Sequence, residues 1–220
     1  MQPSMERARY NMIEQQVRPW DVLDDRVLTV MRELPRETFV PDAYKGLAYA
    51  DVEIPLNESA AMLAPKLVGR LLQALDVRGH ETALEIGTGT GYVTACLAHL
   101  ADYVLSIEID PALAEAARTR LKALGLSQTE VHTGDALAGG IGGGPFDVIA
   151  VTGSAPTSEP MAKLKQLLGD GGRLFIVVGE APLMEAMLIT RVGNAFREEG
   201  LFETSIPVLR NAPLPQRFAF

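Results

Sequence analysis

The chain has 220 residues, 47% of them hydrophobic and 22% charged, a size and balance that suit one large α/β domain with a full core. Its formal net charge of −8 argues against nucleic acid as the main partner, because phosphate binding requires a basic surface. A single cysteine, Cys96, excludes an internal disulfide, and the sequence shows no apolar signal region or run of roughly 18 apolar residues. We therefore expect a cytoplasmic protein without a membrane partner, and the oligomeric state stays open.

Residues 1–63 are predicted to form a helical cap on the main domain. Asp24 is a good N-cap, Val27 and Met31 follow it at helical spacing, and Pro35 ends this helix. Because no glycine- or serine-rich linker separates residues 1–63 from residue 64 onward, we interpret them as a cap and not as an independent module.

Residues 64–180 alternate regularly between short buried strands and helices. Pro65 is placed to start a helix with an apolar stripe, and a turn is predicted at Gly171-Gly172. The strands are predicted at 83–86, 103–107, 129–133, 146–151 and 174–178. This alternation predicts a doubly wound, mainly parallel α/β sheet.

The last part, residues 181–220, has a different pattern. A strand over 186–192, a Gly-Asn turn and a return strand up to Phe202 predict an antiparallel C-terminal strand pair. Together with the five strands before it, this pair predicts a seven-stranded sheet. The tail from Asn211 onward carries two prolines and is predicted to lie across the surface.

A glycine-rich turn follows the first strand of this core. Gly87, Gly89 and Gly91 leave no Cβ atoms between the backbone and a ligand, and they permit the positive φ values that a tight turn needs. A dinucleotide fingerprint would require its third glycine at Tyr92, and a phosphate loop would require a lysine that is absent. Glu85, just before the turn, would repel a pyrophosphate, so it suits a cationic or amino-bearing ligand.

Three acids fall at or just past predicted strand ends: Glu85, Glu108 and Asp135. Ligands of open parallel sheets bind at the carboxyl ends of the strands. Glu108 is placed to accept the ribose hydroxyls of an adenosine, and Asp135 to accept from an adenine amino group. Each acid alone would also suit a helix cap or a solvated turn. Together with the glycines they favour S-adenosylmethionine, which carries a sulfonium, an ammonium, a ribose and an adenine but no phosphate.

The Glu-x-Gly-x-Gly-x-Gly pattern, the second-strand acid and Gly134-Asp135 resemble class I S-adenosylmethionine-dependent methyltransferases. More narrowly, nearly the whole chain resembles the protein-L-isoaspartate O-methyltransferase family. The matching stretches are 12–18, 24–28, 35–41, 47–49, 84–92, 146–152, 155–156 and 171–174. The resemblance implies a single methyltransferase domain over 1–220 with a Rossmann-like sheet.

The resemblance also implies the cofactor, the acceptor and the reaction. S-adenosylmethionine would donate a methyl group to the α-carboxylate of L-isoaspartyl residues in damaged proteins or peptides, leaving S-adenosylhomocysteine, as a step of protein repair. No metal site is implied. The expected cofactor-binding residues are Glu85, Gly87, Thr88, Gly89, Gly91, Glu108, Ile109, Asp135, Ala136 and Thr152.

One segment departs from the family pattern. The family carries a Gly-Gln-Thr-Ile-Ser-x-Pro type segment whose serine is taken to help hold the acceptor carboxylate. Aligned on Pro65, this sequence has Ala61 at the threonine position and Leu63 at the serine position. Both hydroxyls are lost, although Ser59 could supply one from a shifted position. The expected acceptor-binding residues are Ala61, Met62, Leu63 and Ala64.

Three hypotheses therefore stay open. The protein is an isoaspartyl-type carboxyl methyltransferase, a family member with an altered pocket that methylates an unidentified acceptor, or a non-catalytic protein that binds S-adenosylmethionine. The intact glycine turn and its acids favour an enzyme over the third hypothesis.

Overall fold

A computed structural model describes residues 3–139 and 141–215, which fold into helices packed around one large sheet and one small strand pair. The α-helices are α1 (Pro3–Met12), α2 (Asp25–Glu33), α3 (Pro65–Leu75), α4 (Tyr92–Ala98), α5 (Pro111–Ala123) and α6 (Glu159–Leu164). The strands are β1 (Ile54–Pro55), β2 (Ala61–Met62), β3 (Thr82–Ile86), β4 (Tyr103–Glu108), β5 (Thr129–Thr133), β6 (Phe146–Ala155), β7 (Leu168–Glu180), β8 (Leu183–Val192) and β9 (Ala195–Thr204).

The large sheet has seven strands in the order β5-β4-β3-β6-β7-β8-β9. The pairs from β5 to β7 are parallel, whereas β8 pairs antiparallel with both β7 and β9. The prediction of a mainly parallel seven-stranded sheet with an antiparallel C-terminal pair is confirmed. Since β4 lies on one side of β3 and β6 on the other, the strand order reverses between β3 and β6, which is where ligands bind in such folds.

The sheet is covered on both faces because its strands are apolar at successive positions. Ala83 and Val104 belong to one buried cluster, while their neighbours Leu84 and Leu105 belong to another. Successive side chains of a strand point to opposite faces, so the two clusters are the two layers of the core. The first of these clusters also includes most of the buried N-terminal residues, among them Phe39.

Local signals set the helix ends as predicted. The side chain of Asp24 accepts a hydrogen bond from the backbone N–H of Arg26 and caps α2. Asp110 caps α5 in the same way, with Pro111 at the first helical position. The Asp110 cap matters for the site because α5 begins just after β4, next to the glycine turn.

The glycine pair at Gly171-Gly172 was predicted as a turn, and that prediction is wrong. Both glycines lie inside β7, where Gly171 has a φ of +76°. The pairing of β6 with β7 shifts its register at this place, from Phe146 opposite Leu168 to Val148 opposite Arg173. The pair therefore makes an irregularity within a long strand.

Beyond β9 the chain returns to the middle of the sheet. Ser154 in β6 donates its backbone N–H to the carbonyl of Pro207 at 2.8 Å and accepts from the N–H of Leu209 at 2.9 Å. Residues 206–210 thus run beside the end of β6. The predicted tail is described only as far as residue 215, and its remainder lies outside the described residues. None of the helices within these limits is both long and apolar enough to span a bilayer.

Candidate active site

Two adjoining pockets open at the carboxyl ends of β3, β4 and β6. The larger has about 710 Å³ of empty space, a figure that includes its open mouth. The smaller is lined by Met62, Leu63, Glu85 and Tyr92 among others. Both pockets are lined by Ala61, Gly87, Gly89 and Thr152. A ligand that spans the two pockets would therefore cross the glycine turn.

The glycine turn has the backbone geometry that the sequence predicts. Gly87, Gly89 and Gly91 all have positive φ values, +94°, +53° and +83°. The reason for glycine is partly different from the expected one, because a Cβ at Gly87 would overlap the Thr152 hydroxyl and one at Gly91 would lie 3.3 Å from Ala117. Gly91 lines neither pocket and instead allows α4 to start close to α5.

Glu108, at the end of β4, is held rigidly at the wall of the larger pocket. One carboxylate oxygen accepts the backbone N–H of Gly89 at 2.7 Å, and the other accepts that of Asp110 at 3.0 Å. The side chain is only 6% exposed. Each oxygen keeps a second lone pair, so the carboxylate can still accept two hydroxyl groups from a ligand.

Asp135 lines the same pocket together with Ile109 and Ala136. One of its oxygens accepts the N–H of Leu137 at 2.8 Å, and the other accepts the side-chain amide of Asn211 at 2.8 Å. The predicted surface tail therefore begins with a residue that is bonded to the wall of this pocket.

A second contact ties the C-terminal segment to the loop before β2. The guanidinium of Arg210 donates to the Ser59 hydroxyl at 3.1 Å and lies 3.5 Å from Asp110. Residues 207–210 and residues 56, 57 and 59–61 line the larger pocket from these two segments. Sequence reasoning missed Leu209 and Arg210, because only the return of the chain beside β6 brings them to the site.

Glu85 is completely buried and lines the smaller pocket. Its Oε2 accepts hydrogen bonds from the hydroxyls of Thr94 and Ser106, and Ser106 in turn contacts the Thr88 hydroxyl at 2.5 Å. Its Oε1 makes no hydrogen bond with the described residues. Burial raises the pKa of Glu85 to about 8, and the two hydroxyl donors offset only part of that effect.

The loop that has Ala61 and Leu63 at the positions of the family hydroxyl residues forms one wall of the smaller pocket. Met62 and Leu63 are buried and line it beside Ala61, so this wall is apolar. Ser59 is exposed and lines only the larger pocket. Ala64 lines neither pocket and precedes the first turn of α3. The structure thus brings Leu63 and Glu85 together and keeps Ser59 apart from them.

Comparison with known proteins gives this geometry its context. Residues 7–205 match the family model for protein-L-isoaspartate (D-aspartate) O-methyltransferase, PCMT. The chain belongs to this family. It is 38% identical over 198 residues to a protein-L-isoaspartate O-methyltransferase of Syntrophus aciditrophicus, covering 90% of each chain. It is 40% identical over 195 residues to protein-L-isoaspartate O-methyltransferase 2 of Marinobacter nauticus, covering 88% of each.

Solved structures share the fold of this methyltransferase. A protein-L-isoaspartate O-methyltransferase of Plasmodium falciparum, solved with S-adenosyl-L-homocysteine, is 20% identical with a TM-score of 0.75 and coverage of 94% of this chain and 98% of that one. A second protein-L-isoaspartate O-methyltransferase has a TM-score of 0.79 at 21% identity, and the match spans 66% of its length. S-adenosylmethionine is the methyl donor of the family.

The residues of this methyltransferase fit that donor. Glu85 Oε1 is a buried acceptor with no hydrogen-bond partner among the described residues and suits an ammonium group, while Glu108 presents two oxygens that suit a pair of hydroxyls. The pocket beyond Glu108 is mostly apolar, which suits a planar base. Across the described ranges, no cluster of three or more His, Cys, Asp or Glu residues is placed to hold a metal ion.

Proposed function

We propose that the protein methylates the α-carboxylate of L-isoaspartyl residues in damaged proteins or peptides. The proposal is supported by family membership over residues 7–205 together with the two adjoining pockets. The observation that carries it is the shared lining at Gly87, Gly89 and Thr152, because a donor that lies in the larger pocket and reaches Glu85 in the smaller one would cross this lining beside the acceptor loop.

The donor-binding roles proposed for individual residues follow from their placement. Glu85 would hold the ammonium group, Glu108 the ribose hydroxyls and Asp135 the adenine amino group. Gly87, Gly89, Ile109, Ala136 and Thr152 supply the remaining walls of the larger pocket, and Thr88 secures Glu85 through Ser106. S-adenosylmethionine supplies a methyl group on a positively charged sulfur, which a nucleophile can attack.

The work left to the protein is alignment and exclusion of water. A carboxylate is already a nucleophile, so no general base is required, and orientation of the two reactants contributes most of the rate. The apolar wall of Met62 and Leu63 excludes water from the acceptor side. Backbone N–H groups of this loop are the donors available to the acceptor carboxylate near Leu63, where the family hydroxyl is lost.

The decisive experiment is methyl transfer to a defined peptide. The protein is incubated with methyl-labelled S-adenosylmethionine and a peptide that contains one L-isoaspartyl residue, and base-labile label is counted. The same peptide with a normal aspartate is the control. Label above the control supports the proposal, and label equal to the control in an enzyme that binds S-adenosylhomocysteine would contradict it.

A second candidate function is methylation of a different, less polar acceptor. The observation that favours it is the apolar wall formed by Ala61, Met62 and Leu63 in place of two family hydroxyls. Methyl transfer to a cell extract that lacks isoaspartyl peptides, followed by identification of the labelled product, would reveal such an acceptor.

The remaining parts of the proposal concern organisation. We propose that the chain forms a single domain in three parts. Residues 1–63 serve as cap and acceptor loop, and residues 64–180 serve as the cofactor-binding core. Residues 181–220 form the C-terminal strands and tail, of which the last five residues lie outside the described part. We also propose that the protein works in the cytoplasm, where damaged proteins would be its partners.

A further inference from the structure

Arg36 carries a positive charge directly behind the smaller pocket. It follows Pro35 in a short helical turn, and its side chain has no exposed surface. No carboxylate pairs with it anywhere in residues 3–139 and 141–215. Burial lowers the pKa of the Arg36 guanidinium, but an arginine stays charged in proteins, so the core holds a cation that no described carboxylate neutralises.

The contacts of Arg36 lead to the acceptor loop. Its Nε donates to the carbonyl of Ala48 at 2.9 Å, and its Nη2 donates to the carbonyl of Leu63 at 2.7 Å. The guanidinium carbon lies 4.9 Å from the centre of the Tyr92 ring. Nη1 makes no hydrogen bond with the described residues. Since Leu63 and Tyr92 both line the smaller pocket, the charge lies one residue layer behind that pocket.

The bond to Leu63 fixes the direction of the next amide. In a trans peptide the N–H points opposite to the carbonyl, so the N–H of Ala64 points away from Arg36. Neither this N–H nor that of Leu63 forms a hydrogen bond with the described residues. The exchange rate of the Ala64 amide therefore reports how firmly Arg36 holds this peptide unit.

We propose that Arg36 is a positioning residue for the methyl acceptor. Through its bond to the carbonyl of Leu63 it holds in place the loop that lines the smaller pocket, and its charge attracts the carboxylate of the acceptor across one residue layer. The inference rests on the proposed function, because it requires an acceptor with a carboxylate.

The test compares Arg36→Met and Arg36→Lys with a matched control. Arg36→Met keeps the length of the side chain but removes the charge and both hydrogen bonds, whereas Arg36→Lys keeps the charge. Arg173→Met is the control, because Arg173 also donates to two backbone carbonyls, those of Leu75 and Asp76, but is paired with Glu81 and lies far along the strands from the pockets.

Three quantities are measured for each variant: the Kd for S-adenosylhomocysteine by calorimetry, the KM and kcat for the isoaspartyl peptide, and the exchange rate of the Ala64 amide by nuclear magnetic resonance. We expect Arg36→Met to raise the peptide KM about tenfold or more while the Kd changes less than about twofold, since the lost bond held the loop on the acceptor side of the site. Arg36→Lys should recover part of the loss, and Arg173→Met should leave the KM unchanged.

An unchanged KM in Arg36→Met, or an equal loss of donor and acceptor binding, would overturn the inference. If Arg36→Met does not fold, Arg36→Lys decides: loss of both carbonyl bonds should still raise the KM above that of the wild type. If the wild-type protein itself does not methylate the peptide, the proposed function has failed. The role of Arg36 is then judged by the Ala64 amide, whose exchange rate must rise in the Arg36 variants with S-adenosylhomocysteine bound.

Discussion

The hydroxyl of Thr152 lies 2.5 Å from the carbonyl of Gly87, where β6 and β3 end side by side. A second bond joins the same hydroxyl to the carbonyl of Ile86 at 3.0 Å. These two hydrogen bonds hold the start of the glycine turn in place at the point where the strand order reverses. The hydroxyl also leaves no room for a side chain at Gly87.

Gly87→Ala should therefore destabilise the protein by about 2–4 kcal/mol. Part of this is the positive φ of +94°, which costs an L-residue about 1–2 kcal/mol, and the rest is overlap with Thr152. Urea unfolding measures the change. Gly171→Ala is the matched control, since Gly171 has a φ of +76° with no atom within 4 Å, and should show the φ cost alone. Equal losses in the two variants would show that the Thr152 contact is unimportant.

Glu85 should couple stability to pH. Its pKa is raised from 4.5 to about 8, so between these values the folded protein keeps a proton that the unfolded chain releases. The contribution of Glu85 to the free energy of unfolding is thus complete below the lower value and falls as pH rises toward the upper one. The difference in the free energy of unfolding between the wild type and Glu85→Gln should decline across this range by up to about 1.4 kcal/mol per pH unit. A constant difference would contradict the raised pKa.

Binding of the donor should release that proton. An ammonium group beside Glu85 Oε1 favours the charged carboxylate, so the pKa of Glu85 falls in the complex. Calorimetry of S-adenosylhomocysteine near neutral pH, in buffers of different ionisation enthalpy, should show release of nearly one proton. Glu85→Gln should release none and bind more weakly. Equal proton release in both proteins would place the ammonium elsewhere.

Glu108→Gln should weaken the binding of S-adenosylhomocysteine about 10–150-fold, because a hydrogen bond to a charged group contributes about 1.5–3 kcal/mol. The kcat at saturating donor should change far less, since Glu108 lies on the ribose side of the pocket. Glu130→Gln is a suitable control, because Glu130 is an exposed acid on the edge strand β5. An unaltered Kd in Glu108→Gln would contradict the proposal that Glu108 binds the ribose hydroxyls.

Leu63→Ser should raise methylation of the isoaspartyl peptide, because it restores a hydroxyl at the family position. Leu63→Ala is the control: it leaves a similar cavity in this buried site but no donor. Both variants should lose about 2–5 kcal/mol of stability to the cavity. Activity that rises in Leu63→Ser alone supports a role for a hydroxyl at this position. Equal activity in the two variants would contradict the alignment of this loop with the family segment.

The parts of the fold that rest on local pattern could be predicted from the sequence. The strand before Gly87, the cap at Asp24 and the acids Glu108 and Asp135 follow from periodicity, capping chemistry and strand ends. The glycines at 171 and 172 misled the prediction, because turn propensity is local and the long strand is imposed by its pairing with β6 and β8.

Contacts between segments that are far apart in the sequence could not be predicted from it. Asn211 is separated from Asp135 by 76 residues, and Arg36 from Leu63 by 27. No periodicity or motif links such pairs, since they meet only after the sheet has formed. The pKa of Glu85 likewise depends on its burial in the folded core and on hydrogen bonds from Thr94 and Ser106, which belong to a different helix and strand.

The wall formed by residues 207–210 has a consequence for biosynthesis. A ribosome that has released the chain through β7 has made every parallel strand and the acids Glu108 and Asp135, but not Leu209, Arg210 or Asn211. Nascent chains should therefore contain every parallel strand before they contain the last wall of the donor pocket.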